Sequence, residues 1–195
     1  MHPDTEVRFI SEEIGYGVVA KKLIPKGTIT WVQDELDRVL NPAGVARMHP
    51  ETQKLVDKYS FRNKDGNLVL CWDLAKYVNH SFNSNCLSTA YDFELAIRDI
   101  QPGEQLTDDY GYLNVQEPFK AQDEGMERVT VYPDDLENYH EQWDSQLSDA
   151  FQDFEEVEQP LKKFVSKALL EKIQEKLRSN TAMDSILNIY YRENK

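Results

Sequence analysis

Two short polar segments concentrate the side chains able to do chemistry in this chain. One is Asn79-His80-Ser81-Phe82-Asn83-Ser84-Asn85-Cys86; the other is Gly103-Glu104-Gln105-Leu106-Thr107-Asp108-Asp109-Tyr110-Gly111-Tyr112. The first is dense in hydrogen-bonding groups and follows an apolar stretch. The second reads as turn, strand, and a tyrosine among small or acidic residues. Polar groups beside apolar runs must find partners when buried, so the pair points to a built site rather than a solvated loop. The Asn79 amide can donate and accept at once. Tyr110, with an ordinary phenol pKa of ~10, is a poor base at neutral pH; its chemistry is orientation and electrostatics. His80, a lone histidine beside a polar cluster, reads as structural rather than as a base.

The elements around these segments are short. Val7-Arg8-Phe9-Ile10 reads as a strand, Gly15-Tyr16-Gly17 as a glycine break before Val18-Val19-Ala20, and Pro25-Lys26-Gly27-Thr28 as a turn into Ile29–Val32. Residues 45–59 are helical in part, with Pro50 near a helix start. Lys64-Asp65-Gly66-Asn67 predicts a hairpin between residues 59–62 and 68–72. Asp73 predicts an N-cap for a short helix, Leu74 to Tyr77, that delivers Asn79 and His80. Phe93 to Ile97 alternates as a strand. Many short strands with Gly/Pro turns indicate a β-rich domain to about residue 114. Beyond it the pattern turns helical. Leu136, Tyr139, Trp143, Leu147 and Ala150 recur at helical spacing; a second helix is predicted over Lys162 to Arg178, and a third, short one over Ile186 to Tyr191.

The chain has 195 residues, 40% of them hydrophobic, enough to pack a sizeable core. No apolar run reaches the ~18 residues of a membrane span, and the first residues carry neither a basic leader nor an apolar signal segment, so a cytoplasmic location is expected. Cys71 and Cys86 make neither a disulfide framework nor a zinc cluster. A cytosolic setting also disfavours a bridge between them. A net charge of −13 disfavours direct nucleic-acid binding and favours a basic protein or peptide partner, although an acid surface also serves solubility alone. Residues 134–158 hold ten acidic side chains and no lysine or arginine. This run reads first as a solvated helix face, and alternatively as a docking surface for a basic partner.

The motifs together resemble the SET domain of S-adenosylmethionine-dependent protein lysine methyltransferases. Gly15-Tyr16-Gly17-Val18 with Ile24-Pro25-Lys26-Gly27-Thr28 is similar to the family's first glycine motif. Tyr77-Val78-Asn79-His80-Ser81 with Asn85-Cys86 is similar to its Asn-His-Ser motif, and Gly103-Glu104 through Tyr110-Gly111-Tyr112 to its last motif. The resemblance implies a β-rich α+β SET fold over residues 1–114, with small sheets, an insert at about 36–70 and a pseudoknot-like active site. A C-terminal helical extension would follow over 115–195. It implies that S-adenosylmethionine binds on one side and a substrate lysine enters by a narrow channel from the other. Gly15, Tyr16, Gly17, Asn79, His80 and Tyr110 would contact the cofactor, Phe119 would cover its adenine, and Tyr110 would be the active-site tyrosine. Tyr59, Tyr112 and Asp108 would line the lysine channel. The reaction needs no metal.

Two departures bear on this. Asp108 stands two residues before Tyr110, where the family often has an aromatic residue that helps set the number of methyls added. Many relatives also follow the domain with a cysteine-rich, zinc-binding segment, whereas residues 118–128 here contain no cysteine, so a tetrahedral thiolate site cannot form there. Two readings stay open: a methyltransferase closed by its C-terminal helices, and a non-catalytic SET-fold binding module that retains the cofactor pocket.

Overall fold

The computed structural model describes residues 1–192; residues 193–195, the end of the 115–195 extension, lie outside the described residues. Among the described residues, twelve short strands form five small sheets, joined by four α-helices. β1 (Thr5–Ser11) and β2 (Gly15–Ala20) form an antiparallel hairpin in which Arg8 faces Gly17 and Phe9 faces Tyr16. Gly15-Tyr16-Gly17 is therefore the start of the strand and not a break before it. The turn is made by residues 12–14, and Gly15, at φ 83°, takes the left-handed backbone that brings the chain out of it. β3 (Ile29–Val32) follows the expected Pro25–Thr28 turn.

The insert carries β4 (Arg38–Leu40), α1 (Pro42–Val45), α2 (Pro50–Tyr59), β5 (Ser60–Arg62) and β6 (Leu68–Leu70), with the strands in the order β4-β6-β5. Pro50 occupies the first helical turn, where its missing N–H removes no bond, and His49 Nδ1 accepts from Glu51 N. The Lys64–Asn67 hairpin forms as expected, with Ser60 opposite Leu70. Asp73 accepts from Ala75 N at 2.9 Å and opens a 3-10 turn over Leu74–Tyr77.

β7 (Asn79–His80) comes next, then β8 (Cys86–Ser88) and β9 (Phe93–Ala96), which complete an antiparallel sheet in the order β3-β9-β8. β10 (Thr107–Asp108) pairs in parallel with β7, and β11 (Phe119–Lys120) pairs with β12 (Thr130–Val131). α3 (Asp135–Gln152) and α4 (Lys167–Arg178) complete the described chain with a final 3-10 turn, Ile186–Ile189.

The C-terminal helices share one core with the sheet. Ile29, Leu87, Phe93 and Leu95 pack in a single cluster with Leu136, Trp143, Leu147, Phe151, Phe154, Ile173 and Ile186. Burying each such side chain contributes about 1.5–3 kcal/mol, so this face holds the extension firmly. A second cluster, including Val18, Ile24, Val78, Cys86, Ile100 and Leu106, lies under the two polar segments. Beyond α3, Gln159 reaches back to β3. Its Oε1 accepts from Ile29 N at 2.9 Å, and its Nε2 donates to Gly27 O at 2.7 Å.

Three expectations for the C-terminal half need correcting. The helix predicted over Lys162 to Arg178 is broken: a 3-10 turn spans Lys162–Phe164, Val165 is extended and buried, and Ser166 caps α4 by accepting from Leu169 N. Tyr139 does not join the buried face of α3; it is partly exposed and its ring covers the Arg128 guanidinium at 4.6 Å. The acidic run is only in part a solvated face. Asp149 and Asp153 pair with Lys26 at 2.8 and 3.1 Å, Asp135 pairs with Arg128, and Asp144 accepts from Ile186 N at 2.7 Å. Both cysteines are free and buried, and among the described residues no helix is long and apolar enough to cross a membrane.

Candidate functional site

The two polar segments meet through β7 and β10. Asn79 lies opposite Thr107 and His80 opposite Asp108, and Ser81 N donates to Asp108 O at 2.9 Å. On the other side of the second segment, Leu106 N donates to Val18 O at 2.8 Å, so it runs between β2 and β7. Asn85 stitches the crossing: its Oδ1 accepts from Thr107 N at 2.9 Å and its Nδ2 donates to Gln105 O at 2.7 Å. This is the pseudoknot-like threading that the resemblance implied. Asn85 was legible only as part of a motif, because its partners are twenty residues away in the chain.

Asn79 Nδ2 donates to Tyr16 O and to Gln105 Oε1, each at 3.1 Å, which ties the glycine strand to both segments. A side chain at position 17 would collide with this junction, since a Cβ there would lie 2.7 Å from Asn79 Nδ2. Gly17 is thus required by close approach, whereas Gly15 is required by its backbone angle. Tyr16 is exposed, its ring edge-on to Phe9 at 5.8 Å and to Tyr77 at 6.4 Å.

His80 Nδ1 accepts from Tyr110 N at 3.1 Å, so the proton of the neutral ring sits on Nε2. That Nε2 is buried, and among the described residues it has no hydrogen-bond partner. Burial lowers the His80 pKa to about 4, with Arg128 adding to the effect and Glu124 opposing it, so the ring stays neutral. It packs among Phe82, Tyr110 and Phe119, with centroids at 4.4, 5.4 and 5.6 Å.

Tyr110 starts a 3-10 turn, Tyr110–Tyr112, capped by Asp109 Oδ1 accepting from Gly111 N at 3.0 Å. Its hydroxyl donates to Val78 O at 2.6 Å. Burial, then the charges of Asp108 and Glu94, push the phenol well above its ordinary pKa. Tyr110 therefore keeps its proton and spends it on Val78, leaving the oxygen's lone pairs as acceptors.

A cavity of about 430 Å³ lies beside Tyr110. Tyr110, Phe119, Tyr59 and Asp108 line it, with Trp31, Phe61 and Glu94. Tyr59 comes from the end of α2, its ring edge-on to Tyr77 at 5.7 Å. Gly15, Tyr16, Gly17, Asn79 and His80 do not line this cavity and form the adjoining junction. Tyr112 does not line it either. Fully buried, it packs perpendicular to Trp143 at 5.6 Å in the core shared with α3, so its place differs from the expected channel position. The sequence could not show this, because the helix that covers Tyr112 comes later in the chain.

The cysteine-free segment after Tyr112 is folded onto the site. Glu124 Oε2 accepts from Ser81 Oγ at 3.1 Å and from Phe82 N at 2.9 Å. Arg128 pairs with both Asp109 and Asp135, and its guanidinium lies 4.6 Å from the Phe82 ring centroid. Burial alone would raise the Asp109 pKa, and Arg128 opposes that rise. Glu124 and Arg128 gave no signal in the sequence beyond their charge.

Residues 15–111 match the family model described as SET domain. Comparison with curated proteins gives no match.

Proposed function

The chain is a SET-domain protein, and from that premise we propose that it transfers a methyl group from S-adenosylmethionine to the ε-amine of a lysine in a protein substrate. The observation that carries this reading is the convergence of Asn79, His80 and Tyr110 through the parallel β7–β10 pairing, with Tyr110 in the wall of a cavity. The residues fit the cofactor. Among the described residues the His80 Nε2–H is a buried donor without a partner, and the Phe119 ring packs next to it. Gly15, Tyr16, Gly17, Asn79 and His80 would hold it, with Phe119 against its adenine. When bound, S-adenosylmethionine supplies a methyl group on a positively charged sulfur.

The chain's own part is orientation and the handling of a proton. A lysine must lose its proton before it attacks, which costs about 4 kcal/mol at pH ~7.4 for an ordinary amine. The cavity walls, Trp31, Tyr59 and Phe61 among them, take the alkyl stem out of water and so favour the neutral amine. Because the Tyr110 proton is given to Val78, its oxygen is free to accept from an amine N–H and to hold the nitrogen in line. The phenol does not act as the base. The −13 charge is suited to a basic substrate.

What supports catalysis over a purely binding role is the segment that replaces the zinc-binding one. Glu124 and Arg128 tie it to Ser81, Phe82 and Asp109, and Phe119 from it lines the cavity.

Calorimetric titration of the purified protein with S-adenosylmethionine tests the proposal. The wild type should bind, and Asn79→Ala should bind about 5- to 30-fold more weakly, the loss of one or two hydrogen bonds. A wild type that gives no binding heat at saturating cofactor overturns the proposal. Labelled-methyl transfer into a lysate, read by mass spectrometry, then identifies the substrate.

A further inference from the structure

Two carboxyls in the cavity wall have no part in the chemistry derived so far. Glu94 lies on β9, the central strand of its sheet, and Asp108 ends β10. Both line the cavity while being only 7% and 5% exposed. Carboxylates this deep are normally paired with a cation, yet among the described residues neither has an ion-pair partner. Ser88 Oγ donates to Glu94 Oε1 at 3.3 Å, and Tyr112 and Glu94 lie against the Asp108 carboxyl, but among the described residues Asp108 Oδ1 has no well-formed hydrogen bond. A second, independent observation lies across the same cavity. Trp31, 4% exposed, also lines it, and among the described residues its Nε1–H is without a partner. An orphaned acceptor and an orphaned donor on one cavity are what a polar guest would satisfy.

We propose that Glu94 and Asp108 form a proton-accepting pair in this cavity, which takes the ε-ammonium proton of the incoming lysine. The proposal rests on the methyltransferase reading. An ammonium N–H bond breaks, its electron pair stays on nitrogen, and the proton forms an O–H bond on the ionised carboxyl. The neutral amine then attacks the methyl group, which leaves sulfur with the bonding pair remaining on that sulfur. The methylated ammonium departs, and the pair releases its proton to solvent. One proton is produced per methyl transferred, and the pair returns to its first state.

The surroundings suit this role. Burial pushes both carboxyls up; the Asp108 charge raises Glu94 further, while hydrogen bonding with Tyr112 and Glu94 restrains Asp108 and the Asp109 charge raises it, so Asp108 is carried to about 7 with Glu94 well above its ordinary range. A base titrating near the working pH transfers protons best. The titratable neighbours do not compete. Cys71 after β6, Cys86 on β8, and Tyr110 and Tyr112 after β10 are all pushed up by burial and stay neutral. Asp73 is paired with the Met1 amino group, and Asp109 with Arg128.

The test is the pH profile of kcat/KM between pH 6 and 10 on a lysine peptide that the wild type methylates, for wild type, Glu94→Gln and Asp108→Asn. The wild type should level off above pH ~7. Asp108→Asn should fall about 100-fold at pH ~7 and regain close to tenfold per pH unit as free lysine deprotonates. A variant profile parallel to that of the wild type overturns the proposal. Infrared titration of the wild type alone gives a readout free of turnover. A protonated buried carboxyl should persist at pH ~7 and be lost in Glu94→Gln, whereas full ionisation by pH ~5 overturns the pairing. Failure of the methyltransferase reading itself is recognised separately, as absence of S-adenosylmethionine binding by the wild type.

Discussion

Tyr110→Phe is expected to lower methyl transfer about 100-fold or more while changing S-adenosylmethionine affinity less than about threefold. The reason is the division of labour around the Tyr110 oxygen. Its hydrogen is committed to Val78 O at 2.6 Å, which leaves its lone pairs as acceptors, and Tyr110 lines the cavity. Phenylalanine keeps the ring, and with it the packing against His80 at 5.4 Å and Phe119 at 6.1 Å. What is lost is the acceptor that holds the amine, an interaction that matters most in the transition state. Loss of such an interaction lowers kcat and kcat/KM together and leaves ligand binding nearly intact. The variant also strands Val78 O, a stability loss of about 1 kcal/mol that a thermal melt would register. Equal transfer rates for mutant and wild type on an accepted peptide would remove Tyr110 from the proposed mechanism.

Arg128→Met should reduce the free energy of unfolding by about 3–5 kcal/mol, because removing one partner of a buried ion pair leaves the other uncompensated. Here two carboxylates are stranded: the Asp109 and Asp135 side chains are each 3% exposed, and that of Arg128 is 18% exposed. The packing of its guanidinium between Phe82 and Tyr139 is lost as well. Urea unfolding at pH ~7 measures the deficit. The pH dependence follows from the sign of the Asp109 shift. Burial raises that pKa in the folded protein and Arg128 opposes the rise, so the variant should raise it further. A carboxyl whose folded pKa exceeds its unfolded value penalises the fold above the unfolded value, and the penalty fades as pH falls. The gap between variant and wild type should therefore narrow between about pH 6 and pH 4. A gap below about 1 kcal/mol at pH ~7 would show that Arg128 is not the clasp of this segment. Lysine should rescue little, since a point charge cannot serve two carboxylates as a guanidinium fork does.

Much of the architecture was legible where the signal is local. The Lys64–Asn67 turn and the Asp73 cap each involve neighbours within a few residues, and both appear; Phe93–Ile97 gives a strand over Phe93–Ala96, but its alternation marks no solvent face, since all four residues are buried, Glu94 included. The SET fold followed from three motifs in order, and residues 15–111 match the family model. The errors share a cause. Gly15-Tyr16-Gly17 reads locally as a break because glycines interrupt strands. Its place in β2 is set by Asn79 and Gln105, which lie across the threading. The resemblance implies that Tyr112 lines the channel, whereas one turn of 3-10 helix packs it against Trp143. Tyr139 fits an apolar helical spacing and is drawn instead over the Arg128 cation. The juxtaposition of Glu94 with Asp108, and the clasp at Arg128, join residues on different elements and leave no periodic trace.

Gln159 has a consequence for how this chain behaves when it is incomplete. In the order β3-β9-β8, β3 is an outer strand, and an outer strand with free N–H and C=O groups is a template for another molecule. The primary amide of Gln159 offers Ile29 N and Gly27 O the same acceptor and donor that a neighbouring strand would offer. The guard comes from 130 residues downstream of Ile29. During synthesis, or after a cut ahead of Gln159, the strand is made long before its cover. The uncovered chain then carries an open β edge beside Phe93 and Leu95, which have lost Phe151, Phe154 and Ile173 as neighbours. The hazard of the truncated protein is self-association through that edge, and the last third of the chain acts as its built-in chaperone.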